Sequence, residues 1–555
     1  MPRRRIGIVA GPAPIRWFVT VVCLAVPFVL VGCRSTTPIP ADPATEASPG
    51  QGTFVFGASV DPVALDPALV TDPDSVRITR QIFETLVNPS DQPGLATSWE
   101  AANGDRTWTF TLREGVAFHD DTTFDATAVC SNVDRWWTLT GPSTDPGVSG
   151  VFQEVFGGSI DDPDTRLQGC TVLDAHRVRL DLTEPRPDLP TELARPQFAI
   201  QSPAALATHG AYGAGDLRTS SYATAHPTGT GPFRFGAWEP DNQIVLVRNT
   251  DYWGVEAGVE RAVIKTISDP KARAEQLLKG DIDAYDQVSA LDEPDLAAAP
   301  EGEATLQSRA RRNVTYLGMS ADSEALSDPR IRRAVAYAID PSAVLAVMPS
   351  GSTAADGVLI GDPGSSDATG YDPTKARRLL AEAGATHLTL KLAYPSGVTQ
   401  GYLPSPEDLY AVIADQLEAV GITVEPDATS WPTHLSRLGS SDADRPADLH
   451  LMGVAMVDDD PTSTVTQLLA GGDVEFGLDA TRVTDALEGI ERLSAGATRT
   501  AEAEDAATGL LTGPADPVVV PLAFPTEQVA LGQGVRDYPV DPYAAEVWTG
   551  VRVTP

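Results

Sequence analysis

Trp108-Thr109-Phe110-Thr111-Leu112-Arg113-Glu114-Gly115-Val116-Ala117-Phe118-His119-Asp120 opens with apolar and hydroxyl side chains in alternation and closes on a polar turn. Alternation at period two marks a strand with one buried face. Outward from it the same reading applies to Arg177–Leu182 and to the β-branched run Gln243–Val247, and the first such run is Thr53–Gly57. Between the strands lie helical patterns at Val76–Val87, Asp328–Ala338, Pro373–Ala383, Pro406–Val420 and Arg482–Leu493. Asp328-Pro329 and Asp372-Pro373 suit helix starts, an acidic cap followed by proline at the first helical position. Short strands mixed with helices and no internal repeat predict α/β lobes. His119, at the end of a strand pattern among acids, is read as orienting a turn and not as a base or metal ligand.

The chain has 555 residues and a formal charge of -36, about -40 once the first 32 residues, with four arginines and no acid, are set aside. From residue 53 onward the length is too great for one hydrophobic core and suits two or three lobes. So negative a field repels nucleic acid and anionic lipid headgroups. It permits a neutral or cationic solute without demanding one, and it equally serves a solvated acidic surface.

Arg3, Arg4, Arg5 and Arg16 precede an apolar run from Trp17 to Val31, the layout of a secretory signal. Leu30-Val31-Gly32-Cys33 resembles the lipobox of bacterial lipoproteins, which implies a signal peptide over 1–32 and lipid on Cys33. A transmembrane anchor is the alternative, since the run is just under spanning length. Residues 33–52, rich in Pro, Ala, Thr and Ser, read as a flexible tether. Cys23 leaves with the signal, so Cys130 and Cys170 remain as a pair in an oxidising compartment, where a disulfide is expected and two buried thiols are the alternative. No CxxC or His/Cys ligand spacing points to a metal, and no cofactor is implied. Gly229-Thr230-Gly231 lacks the Lys-Ser/Thr and the following helix of a phosphate loop and reads as a turn. A nucleophile elbow, an HExxH and a Cys/His pairing are all missing, which argues against a secreted hydrolase and leaves no catalytic residue to name.

Seven blocks resemble, in order, the family 5 extracellular solute-binding proteins of ABC importers, the group of dipeptide, oligopeptide and nickel receptors. They are Leu65-Asp66-Pro67 with Ile82-Phe83-Glu84-Thr85-Leu86-Val87, Pro93 to Trp99, the opening stretch Trp108 to Asp120, Gly229 to Phe233, Asn249 to Trp253, Gly280 to Asp283, and Asp328 to Asp340. The resemblance implies an α/β, two-lobed periplasmic-binding-protein-like fold (type II, cluster C-like, with an extra subdomain) and two hinge crossings. The first lobe would span 53–315 with the extra subdomain at about 95–215, the second lobe 316–517, and 518–555 would return to the first. The crossings are expected near Val314–Met319 and Val518–Leu522. The implied function is a monomeric extracytoplasmic receptor that hands a small solute, a peptide by analogy, to an ABC permease and ATPase. A metal chelate, haem or sugar is the alternative solute, and a surface sensor lipoprotein the alternative role.

In peptide-binding members a Gly-Trp, then two residues, then an Asp four places before a Pro, supplies the carboxylate that pairs with the peptide ammonium. Here Gly453, Asp460 and Pro461 match, but Val454 stands in place of the Trp and Val457 in place of the Asp. A valine cannot compensate a buried ammonium. Asp458 could take over after a one-residue shift, or the acidic run could be a solvated turn before a helix at Thr462–Ala470. Trp431 and Arg437 match the family's pocket-lining pair, an apolar wall and a fork for a carboxylate. Interface core and a surface ion pair are their plainer roles.

Overall fold

A computed structural model describes residues 52–555 apart from 90–91, 140–150, 154, 159–164, 214–215, 301, 310–312, 360–369, 386, 439–447, 456–461, 494–496, 542–545 and 555. Cys33 and the tether up to residue 51, and Val457 and Asp458, lie outside the described residues.

Three sheets of four or more strands organise the described chain. The first has seven strands in the order Ala304–Arg309, Glu527–Gly532, Ala284–Tyr285, Thr53–Ala58, Arg261–Thr266, Gln243–Arg248, Phe233–Glu239. The second has six, in the order Thr353–Ala354, Val519–Phe524, Asn313–Met319, Leu449–Ala455, Leu388–Pro395, Ile422–Thr429. A smaller antiparallel sheet joins Ala96–Ala102, Thr107–Leu112, Arg177–Leu182 and Leu167–Asp174. One of its two inner strands is Thr107–Leu112, where Trp108, Phe110 and Leu112 are buried and the intervening threonines are half-buried, as the alternation requires.

The helices start where acidic caps place them. Asp72, Asp328 and Asp372 each accept a backbone N–H two or three residues on, with Pro at the first helical position. The helix expected over Val76–Val87 is instead Pro73–Ile82, because Phe83 is extended and Glu84 bridges to Ile200. Arg482–Leu493 is shifted to Ala480–Glu491, capped by Asp479.

Cys130, on the helix Ala126–Thr138, and Cys170, on the strand Leu167–Asp174, are disulfide-bonded with Cα atoms 5.3 Å apart. The bond ties a helix packed on the small sheet to that sheet's edge strand.

Arg309 ends a strand of the first sheet and Asn313 opens a strand of the second, and the chain returns through Pro525 and Thr526 between Val519–Phe524 and Glu527–Gly532. The runs near which the crossings are expected, Val314–Met319 and Val518–Leu522, lie in or beside the strands of the second sheet that adjoin these passages. All seven residues of Asn313–Met319 are buried, and that strand pairs on both sides within the second sheet. Its apolarity is that of a central strand.

Candidate functional site

Strand direction brings two sheet edges together. In the second sheet, Leu388–Pro395 runs parallel to both Ile422–Thr429 and Leu449–Ala455, so three carboxyl ends share one edge. Asn313 lies opposite Ala455 in the antiparallel pair, so the chain enters at that same edge, and it leaves from Phe524 there. In the first sheet, Thr53–Ala58, Arg261–Thr266, Ala284–Tyr285 and Ala304–Arg309 likewise point their carboxyl ends one way, and the crossing departs from Arg309. With crossings this short the two carboxyl edges adjoin, and such edges are where open α/β sheets bind ligands.

The first-lobe side is built on buried charge. Arg309 pairs with Asp286 at 3.3 Å, with Glu527 at 2.5 Å and with Glu546, while Arg77 pairs with Asp74 at 2.8 Å and also with Asp286. Arg309 and Glu527 are register partners at the two crossings, so the network anchors both on the first lobe. Burial pushes the Asp74 carboxyl up to about 6, against the pull of Arg77. Nearer the surface, Asp61 accepts from Trp238 Nε1 at 3.1 Å and from the Asp241 N–H at 2.7 Å. The lobes also touch directly. Ser350 N–H donates to Glu293 at 3.2 Å, Gln528 Nε2 donates to the Ser350 carbonyl at 2.9 Å, and Arg499 stands 3.8 Å from Asp188 of the small-sheet region.

On the second-lobe side Trp431 follows the carboxyl end of Ile422–Thr429 and starts the helix Trp431–Leu438. Its ring lies 6.2 Å from His434, stacked, and 6.3 Å from Tyr402. His434 Nε2 donates to the Leu451 carbonyl at 3.0 Å, and burial lowers its pKa to about 4, so it is a neutral support for Trp431. Arg437 Nη1 donates to both oxygens of Asp427 at 3.2 and 3.0 Å. A solute carboxylate at Arg437 would therefore share a guanidinium already engaged by an acid.

Gly453 contributes space, and the space is taken. A Cβ there would stand 2.4 Å from the Tyr402 carbonyl, to which Thr315 Oγ1 also donates at 2.7 Å. Val454 points to the other face of the strand, where it packs with Met452 against the buried group around Val465, Leu468 and Phe476. Trp431 thus belongs to the edge, whereas Gly453 and Val454 shape it from behind.

His119 holds a turn. Its Nε2–H donates to the Gly231 carbonyl at 2.9 Å, its backbone N–H donates to that of Gly229, and burial lowers its pKa to about 4. Gly229 and Gly231 are needed because a Cβ at either would collide with the Ile82 carbonyl. A cavity of about 200 Å³ near Arg80, Glu84 and Tyr252 is lined by first-lobe residues alone and is separate from the junction.

Sequence reasoning missed Tyr402, Asp427, Asn313 and the Arg309 network. Asn313 alone left a trace, a polar residue opening the apolar run Val314-Thr315-Tyr316-Leu317.

Comparisons with known proteins agree with this architecture. A probable D,D-dipeptide-binding periplasmic protein of Escherichia coli is 27% identical over 72% of this chain and 75% of its own. Di/tripeptide-binding protein 2 of Pseudomonas aeruginosa is 27% identical over 83% and 82%. An ABC transporter-associated periplasmic binding protein, DppA, from Helicobacter pylori, solved with the peptide STSA, superposes with a TM-score of 0.75 at 24% identity over 90% of this chain and 98% of that one. The fold is that of two-lobed periplasmic binding proteins with mixed sheets. The model of the bacterial extracellular solute-binding proteins, family 5, middle region, matches residues 92–476, and the chain belongs to that family.

Proposed function

We propose that this protein is the receptor of an ABC importer, that it binds a peptide between its lobes, and that it delivers the peptide to a permease and ATPase complex. The observation that carries the reading is the apposition of two carboxyl edges across two short crossings, with Trp431 held at the second-lobe edge by His434. Two lobes joined by short links can close over a solute, and an aromatic wall beside polar groups suits a chain of amides and side chains. The peptide-binding names of the relatives point the same way. Lipid on Cys33 would hold the receptor as a monomer at the outer face of the membrane, with 33–52 as its tether. Cys33→Ala should then move the protein into the aqueous phase on detergent partitioning, and a variant that stays with the membrane as precursor would favour a signal anchor.

Titration with di- to pentapeptides, free and N-acetylated, tests the solute. A bound peptide should raise the unfolding free energy by about 2.7 kcal/mol at a hundred times its dissociation constant. Trp431→Ala should abolish that gain at the same concentration. A non-peptide solute is favoured by one observation, the valines at 454 and 457 where peptide receptors of the family carry Trp and Asp. Equal affinity for free and acetylated peptides would show that no carboxylate holds the ammonium. An absent response to every peptide would favour the non-peptide reading.

A further inference from the structure

His209 and His226 end two short first-lobe helices, Pro203–Thr208 and Ser221–Ala225. The two ends are tied to each other, because the Tyr222 N–H donates to the His209 carbonyl at 3.0 Å. Each histidine is also fixed to its own helix: the His209 N–H donates to the Ala205 carbonyl at 2.9 Å, and the His226 N–H to the Tyr222 carbonyl at 3.3 Å. Leu206 and Tyr222 are fully buried, so the frame that carries both imidazoles is anchored in the first-lobe core. Ser221–Ala225 packs on Phe233–Glu239, the edge strand at the opposite side of the first sheet from the two strands next to the crossings.

On this frame the two rings meet at 83° with centroids 3.8 Å apart, closer than the 4.5–7 Å at which aromatic side chains ordinarily pair. His119, His434 and His450 each direct Nε2 to a carbonyl or carboxylate, whereas His209 and His226 are directed at each other. Desolvation, and after it His209, lower the His226 pKa below its ordinary value, so that ring is neutral at pH 7 and keeps a lone pair on one nitrogen. Neutral imidazole is the commonest protein ligand for metals and suits Zn2+ and Cu2+. Zn–N bonds of about 2.0–2.1 Å in a tetrahedral sphere leave two imidazole centroids roughly 5 Å apart, so an ion would part these rings by about 1 Å. His226 is exposed and can supply that by rotating its side chain. No third His, Cys, Asp or Glu joins the pair among the described residues, so water would complete the sphere. A formal charge of -36 draws cations to the protein from solution.

We propose that His209 and His226 form a two-imidazole clamp for a borderline divalent cation, Zn2+ or Cu2+, on the first lobe and away from the lobe junction. The ion would pin Ser221–Ala225, and the Gly229–Gly231 turn that follows it, to Pro203–Thr208. The clamp is independent of the solute.

The test titrates the full chain, free of any affinity tag, with ZnCl2 in an excess of Ca2+, which occupies carboxylates and has little affinity for imidazole. One Zn2+ site is expected in the unaltered chain. His209→Gln and His226→Gln should each weaken it at least about tenfold, the lower bound for changes even outside the direct ligands. Zn2+ should raise the thermal midpoint of the unaltered chain and of Trp431→Ala alike, and of neither histidine variant. Electron paramagnetic resonance with Cu2+ should show coupling to two imidazole nitrogens in the unaltered chain, and this needs no variant, so it decides the matter even where a substitution folds poorly. Zn2+ binding that is unweakened in either variant would overturn the proposal, and so would a copper spectrum without two imidazole nitrogens.

Discussion

Arg309→Met removes the cation at the centre of the hinge network and keeps the stem's packing volume. Arg309 is fully buried and faces Asp286, Glu527 and Glu546, all of them nearly inaccessible. Asp286 would retain Arg77, so the loss falls on the two glutamates, one of which follows the return crossing. Removing one member of a buried ion pair costs about 3–5 kcal/mol, because the partner stays desolvated without its counter-charge. A network with a second guanidinium places the expected loss toward the lower end, about 3 kcal/mol. Equilibrium urea unfolding at pH 7, followed by tryptophan fluorescence with Trp548 in the first-lobe core as a reporter, would measure it. Arg309→Lys, which keeps the charge without the fork, should lose less. A loss under about 1 kcal/mol for Arg309→Met would mean that the network is hydrated and does not anchor the crossings.

Asp74, raised to about 6 by burial, binds its proton more tightly folded than unfolded, so its cost to stability is complete above about 6 and is relieved as pH falls toward 3.8. Asp74→Asn should flatten that part of the stability profile, and an unchanged profile would assign it to other groups. Gly318→Ala should destabilise the second lobe by roughly 1–3 kcal/mol, since the new Cβ would lie 2.1 Å from Nε2 of His450, itself 1% exposed and bonded to Glu475. A neutral outcome in chemical denaturation would mean that His450 can move. Peptide mapping without reductant should recover Cys130 joined to Cys170, and replacing both by Ser should cost about 4 kcal/mol for the 40-residue separation. Two thiols open to alkylation would contradict the bond.

The sequence was most legible where local chemistry decides structure. The alternation at Thr107–Leu112 and the Asp-Pro starts at 328 and 372 needed only neighbours, and the strand and helices stand there. Legibility failed where pairing across hundreds of residues decides. Val314–Met319 reads as an apolar run near a change of lobes, but its place in the middle of a sheet is set by partners far along the chain, at 449–455 and 519–523. Trp431 and Arg437 could be found by motif, but Asp427, which occupies Arg437, lies ten residues earlier in a strand with no motif of its own.

Native mass spectrometry of the protein purified from its own host, without unfolding, tests the central claim most directly. A peptide receptor should appear as a complex heavier than the bare chain by the mass of a peptide, released as sequenceable fragments on activation, and lost in Trp431→Ala. A bound mass that fragments as a metal chelate, haem or sugar, retained in that variant, would contradict it.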